Sequence, residues 1–194
     1  AAVELPEIQV TATRVAHDRA RTPAAITVLG PAELRDTRRD AALAEKLALV
    51  PGVLARQRNN FAQDEQLSIR GFGARATFGI RGVRLFLDGV PATMPDGQGQ
   101  VSNFNLASAG RIEVLRGPFS TLYGNAAGGV IQVFTADGAA DPGLRLSLGA
   151  GSFGAQRETL DWRGADGALD YVLDYTHFRT GGYREHSAAT RDSF

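Results

Sequence analysis

Cysteine is absent from the 194 residues, which excludes disulfides, thiol catalysis and thiolate metal sites. Histidine is scarce. His17, His177 and His186 are the only imidazoles, and none stands three or four residues from another, so no metal site, structural zinc included, is expected. Acidic and basic residues balance to a formal net charge of zero and are scattered along the chain, so no basic field argues for nucleic acid or another polyanion. No apolar run approaches the roughly 20 residues that a membrane helix needs. Ala1 opens no basic, apolar leader, so the chain reads as a mature secreted form. Lys46 is the single lysine, and the arginines that replace the rest suit bidentate, partly buried ion pairs. No nucleophile, base and orienting group fall together, so no enzyme and no cofactor is expected.

What is present is densest between Arg111 and Thr135, RIEVLRGPFSTLYGNAAGGVIQVFT. Ile112, Val114 and Leu115 favour a strand that Gly117-Pro118 stops. Val130, Ile131, Val133 and Phe134 favour a second after Gly128-Gly129. Between them Phe119 to Tyr123 has room for about one helical turn, with Pro118 where a first-turn proline is tolerated. Upstream, Ala25 to Leu29 is a β-branched strand, and Pro31 starts a short helix. Asp40 is the expected N-cap of a helix over Ala41 to Val50, with Leu43, Leu47 and Val50 as its apolar stripe and Pro51-Gly52 as its stop. Val53 to Arg56 is a strand, Arg56 to Glu65 a polar loop, and Val83 to Pro91 a strand turning at Asp88-Gly89.

At the N-terminus, Ile8 and Val10 alternate with Gln9 and Thr11, a pattern able to add as an edge strand to a partner's sheet. Val15 to Pro23 is charged and unpatterned and reads as a flexible tether. After Asp137-Gly138 the period changes to two. Leu144, Leu146 and Leu148 alternate with Arg145, Ser147 and Gly149, and Leu169, Tyr171, Leu173 and Tyr175 alternate with Asp170, Val172, Asp174 and Thr176. Gln156 to Arg163 is a poorer strand, with Leu160 and Trp162 on the same face. Such alternation fits a membrane barrel with interfacial tyrosines, and equally a soluble meander with one wet face. The spacing Gly149-x-Gly151-x-x-Gly154 matches the dinucleotide-binding fingerprint and raises a rival oxidoreductase reading. That fingerprint requires a helix at the last glycine, whereas Leu160 and Trp162 stand two apart and give no helical stripe.

The Arg111 block, a strand with Glu followed by Arg-Gly, a Tyr-Gly turn and Gly-Gly-Val-Ile, resembles the end of the plug domain of TonB-dependent outer-membrane receptors. Ser68-Ile-Arg-Gly71 and Leu87-Asp-Gly-Val-Pro91 resemble further plug motifs in the same order. The resemblance implies an α+β plug, a mixed β-sheet with short helices, over residues 23–137. The first strands of a transmembrane antiparallel β-barrel follow over 138–194, and a TonB box and periplasmic tether precede it over 1–22. It identifies Glu7, Ile8, Gln9, Val10, Thr11 and Ala12 as resembling a TonB box, which pairs with TonB of the inner-membrane energy-transducing complex. Because three strands cannot close a barrel, it also implies wall strands beyond Phe194.

Within the family, GFGARATF and LDGVPATMPDGQGQ look most like the branch that takes up ferric citrate. That likeness places Arg75, Gln98 and Gln100 on loops facing an anionic iron chelate, with guanidinium for carboxylates and amides for oriented hydrogen bonds. The extra Ile80-Arg81-Gly82 departs from the branch and changes the loop lengths. By the same likeness Arg70 and Arg116 project towards carboxylates on the barrel wall, with Glu113 sharing their network. The implied function is energy-dependent import of an iron chelate across the outer membrane, the plug gating the pore from the periplasm and the lumen. Lipid is then a further partner. The alternative is a plug-type module that engages the energy-transducing partner without transport.

Overall fold

The structure, a computed structural model, describes residues 9–11, 17–18, 22–35, 42–57, 65–76, 79–101 and 104–194. In chain order its elements are β1 (Gln9–Val10), β2 (His17–Asp18), β3 (Ala25–Leu29), α1 (Pro31–Leu34), α2 (Leu43–Leu47), β4 (Val53–Arg56), β5 (Gln66–Ile69), β6 (Val83–Leu87) and β7 (Val90–Pro91). Then follow β8 (Ala109–Arg116), α3 (Ser120–Tyr123), β9 (Gly129–Thr135), β10 (Gly143–Gly151), β11 (Ala155–Asp166), β12 (Leu169–Thr180) and β13 (Ala189–Ser193).

The centre is a five-stranded mixed sheet in the order β3-β8-β9-β6-β7, in which β8 and β9 are antiparallel and β6 runs parallel to β9. Period-two alternation divides β8 between two cores. Ile112 and Val114 face a large core with Leu43, Leu47 and Val50, whereas Leu115 joins Ile26, Val130 and Tyr123 on the α3 side. The turn after β6 has positive φ at both Asp88 and Gly89, as a two-residue hairpin turn of the twist-matching kind requires. The Asp88 carboxylate then accepts from Thr135 N at 2.8 Å and Thr135 Oγ1 at 2.6 Å, tying the turn to the end of β9.

Helix α2 departs from expectation at its start. It begins at Leu43 with Ala42 as N-cap, and the expected cap, Asp40, lies outside the described residues. Alanine has no side chain to accept from the first turn, and the Glu65 carboxylate does so instead, 2.7 Å from Ala44 N. The supposed tether is also corrected in part: His17–Asp18 pairs antiparallel with Gln9–Val10.

The C-terminal strands form a separate antiparallel sheet, β10-β11-β12-β13. Its outward rungs are Leu144, Trp162 and Leu173, then Leu146, Leu160 and Tyr175. Every one of these six is exposed, while inward-facing Thr159, Asp161, Arg163, Thr176 and Phe178 are buried. The fourth strand, β13, was not foreseen, because ATRDS has no apolar alternation and only its pairing with β12 defines it. The glycine fingerprint falls in the β10–β11 hairpin, where Ala155 opens a strand and no helix, which removes the dinucleotide-binding reading. Among the described residues no helix is long and apolar enough to cross a membrane.

Candidate functional site

Two loops meet at one end of the central sheet. Ile80 pairs with Gly99, Thr93 also pairs with Gly99, and Gly73 lies against the Leu67 and Arg81 carbonyls. This is the end where β6 and β9 begin; the chain leaves for the C-terminal wall from the other end, after Thr135. Arg81 joins the loops: its guanidinium donates to the Asp96 carbonyl at 3.3 Å, to Asp96 Oδ2 at 3.4 Å and to Gln98 Oε1 at 3.4 Å. Gln98 also packs over Gly79, whose φ of 64° and lack of Cβ let the amide side chain close down on the backbone. Arg75 is exposed in the first loop, and Gln98 and Gln100 are half-buried in the second. Arg81 was singled out in the sequence only as part of an insertion; its pairing across 15 and 17 residues carried no sequence signal.

The N-terminal segment lies on the α3 side of the sheet. Thr11 N donates to Glu113 Oε2 at 3.0 Å, and Thr11 Oγ1 lies 3.3 Å from both carboxylate oxygens. Glu113 is fully buried, receives Arg111 Nε at 3.0 Å, and stands opposite Gln132 on β9. A buried carboxylate needs such charge-assisted donors, and here a strand neighbour and the N-terminal segment supply them. Gln9 and Val10 pair with His17 and Asp18; Glu7, Ile8 and Ala12 lie outside the described residues. Among the described residues the bonds of Glu113 go to Thr11 and Arg111, and those of Arg116 go elsewhere. Arg116 Nη1 donates to the Pro51 carbonyl at 2.7 Å and Nη2 to Thr27 Oγ1 at 2.9 Å. Arg70 is exposed at a turn with φ of 51°.

Between the sheet domain and the wall runs a polar seam. Asp141 bridges Arg35 and Arg145, and Arg145 Nη1 reaches Asp161 Oδ1 at 3.0 Å. Asp161 also pairs with buried Arg163, 2.7 Å away, and Arg163 Nη2 donates to the Ala107 carbonyl at 2.9 Å. Asn105 bonds to Asp174, and Arg191 Nη2 lies 3.5 Å from the Phe104 carbonyl. Three successive wall strands, β11, β12 and β13, thus hold one stretch, Phe104 to Ala107. Beside the seam a cavity of about 830 Å³ separates α1 and the ends of β8 and β9 from the inner face of β10 and β11.

The sheet, its short helices and this seam match a known architecture. A family model, TonB-dependent Receptor Plug Domain, covers residues 18–130. The chain belongs to the TonB-dependent receptor plug family. The vitamin B12 transporter BtuB of Vibrio vulnificus is 32% identical over 152 residues, 78% of this chain and 24% of that protein. The ferric yersiniabactin uptake receptor FyuA from Yersinia pestis superposes with a TM-score of 0.56 at 26% identity, over 81% of this chain and 24% of that one. For the ferric-catecholate import receptor Fiu from E. coli in its open form, the TM-score is 0.63 at 25% identity, over 84% and 22%. The pyoverdine outer membrane receptor FpvA from Pseudomonas aeruginosa, 21% identical, shares the fold with a TM-score of 0.65 over 89% and 24%. The chain thus spans about a quarter of the length of these relatives, which are receptors and transporters rather than enzymes. The central sheet with its helices is a plug, and β10 to β13 are the start of a barrel wall.

Proposed function

We propose that the chain is the gate of an outer-membrane receptor that imports an anionic iron chelate, with energy supplied through the N-terminal segment by TonB. The observation that carries this reading is the loop junction on the plug end away from the barrel entry. There the loop of Arg75 and Arg81 meets the loop of Gln98 and Gln100, and Gln98 Oε1 accepts from Arg81. An anionic chelate presents carboxylate or similar oxygens that guanidinium groups bind in a directed way. Ferric citrate is the candidate that the loop residues first point to. The relatives named above carry cobalamin, ferric yersiniabactin and ferric catecholates, so iron chelates as a class are well represented among them.

Plug and wall face the periplasm and the barrel lumen in this reading, and the outward leucines of β10 face lipid. Arg70 and Arg116 remain proposed partners for wall carboxylates. In the receptor carrying the whole barrel, Arg75→Ala and Gln98→Ala each weaken ferric citrate binding by about 1 to 3 kcal/mol, the loss of one hydrogen bond to a charged group. Circular dichroism should stay unchanged. Wild-type affinity in both variants, read by equilibrium binding of radiolabelled iron chelate, sets the loop assignment aside.

A further inference from the structure

On the outer face of the wall, two donor side chains converge on one carboxylate oxygen. Asp192 Oδ1 accepts from the Tyr175 hydroxyl at 2.8 Å and lies 2.7 Å from His177 Nδ1. Tyr175 and His177 stand two apart on β12, hence on one face, and Asp192 is the residue opposite His177 on β13. Glu158 is opposite His177 on β11, so the imidazole has an acidic neighbour on each flanking strand. Arg179, the next outward residue of β12, is engaged elsewhere, its Nε donating to Gln156 Oε1 at 2.8 Å. The cluster closes the apolar part of this face. Towards the β11–β12 turn stand Leu173, Leu160 and Leu146, and on the other side Gln156, Arg179 and Thr190 are polar and exposed. With a rise of about 3.3 Å per residue and a tilt of about 40°, β12 climbs roughly 20 Å from Leu169 to His177, most of a lipid band about 25 Å tall. The cluster therefore sits at the edge of that band, with Tyr175 and Asp192 exposed and His177 half-buried.

We propose that Tyr175, His177 and Asp192 bind a divalent transition-metal ion of the Cu2+ or Ni2+ type, which clasps β13 to β12. Imidazole together with oxygen donors suits such ions, whereas Mg2+ and Ca2+ take oxygen alone. Donors at right angles around an ion with bonds of about 2.0 to 2.1 Å stand about 2.9 Å apart, against about 3.4 Å in a tetrahedral site. The separations of 2.7 and 2.8 Å lie nearer the right-angled edge, the geometry of tetragonal Cu2+ and Ni2+ sites rather than of structural zinc. An ion held by Nδ1 and Oδ1 takes the place of the hydrogen between them, and the neutral imidazole keeps its proton on Nε2. Among the described residues no three His, Asp or Glu side chains gather as a metal cluster, so the Tyr175 oxygen is the third donor. Spacing along the chain does not disclose the site, because Asp192 comes from the neighbouring strand. A clasp suits β13, which has no apolar alternation and whose five pairs with β12 include His177 with Asp192. The site is remote from the plug loops and does not depend on which chelate the receptor imports.

The test uses the receptor with its whole barrel, purified without a polyhistidine tag and titrated with Cu2+ in detergent micelles. Electron paramagnetic resonance counts the bound ions. The wild type should hold one more ion than His177→Ala, and the difference spectrum should carry the splitting of one imidazole nitrogen. Asp192→Asn should lose the same ion, and Tyr175→Phe should hold it roughly tenfold more weakly. Ni2+ should displace it and excess Mg2+ should not. Arg184 is exposed in the β12–β13 loop, so Cu2+ should also slow tryptic cleavage after Arg184 in the wild type and not in His177→Ala. Equal Cu2+ uptake by the wild type, His177→Ala and Asp192→Asn overturns the proposal. So does a difference signal without nitrogen splitting, unchanged affinity in Tyr175→Phe, displacement by Mg2+, or cleavage after Arg184 that Cu2+ does not slow in the wild type. If His177→Ala fails to fold, Asp192→Asn takes its place in each comparison. None of these readouts involves uptake, so a receptor that imports no iron chelate would count against the transport reading and leave the metal site standing.

Discussion

A Cβ at Gly129 would stand 2.1 Å from the Leu115 carbonyl oxygen, and the residue's φ of 147° is one that side-chain-bearing residues rarely adopt. The glycine pair of the Gly-Gly-Val-Ile motif is therefore there so that β9 can begin hard against β8. Gly129→Ala should force the two strands apart and cost about 1 to 3 kcal/mol, as overpacking of a filled interior does. A thermal melt of the variant at the wild-type temperature would refute the reasoning. Residues of this kind were legible from composition alone, because a turn or close approach demands glycine whatever surrounds it. The role of Glu65 was not, since a glutamate in a polar loop reads as solvated until the fold places its carboxylate at the first turn of α2.

At the scale of elements, the N-terminal strand has two demands on it. Thr11 is bonded to Glu113 and β1 is paired to β2, whereas strand addition to TonB would need the backbone of the same stretch. Val10→Pro removes one backbone donor and fixes φ, so it should abolish energy-dependent uptake in the whole receptor while leaving chelate affinity intact. Normal uptake by that variant would mean the partner does not pair along this strand. The alternation of Ile8, Val10 and their polar neighbours revealed a strand but not its mate, because period two gives the faces of a strand and says nothing about which edge it meets. Strand β13 makes the same point from the other side, since with no apolar alternation its existence rests on pairing alone.

For the whole molecule the open question is what Arg116 meets. Here it binds the Pro51 carbonyl and Thr27 Oγ1, contacts internal to the plug. Arg116→Met should cost this 194-residue chain about 1 to 3 kcal/mol through those bonds. A receptor with a closed wall should lose more, because a carboxylate there would be stranded without its guanidinium. The comparison is read by limited proteolysis of the plug in both contexts, and equal losses mean that no wall carboxylate waits for Arg116.

The sequence by itself determined the local elements and their order. Turn glycines, a first-turn proline and the periods of two and 3.6 act within a few residues, so the strands, the short helices and the apolar alternation of β10 to β12 could be read directly, while the plug and its barrel were read only through the family resemblance. Tertiary structure alone decided who meets whom. Arg81 reaches Asp96 and Gln98, Arg35 meets Asp141, and Arg163 holds Ala107, across separations that leave no periodic trace. Charge pairing is set by distance in space after folding, and a sequence with scattered, balanced charges permits many pairings of which the packed sheet and wall select one.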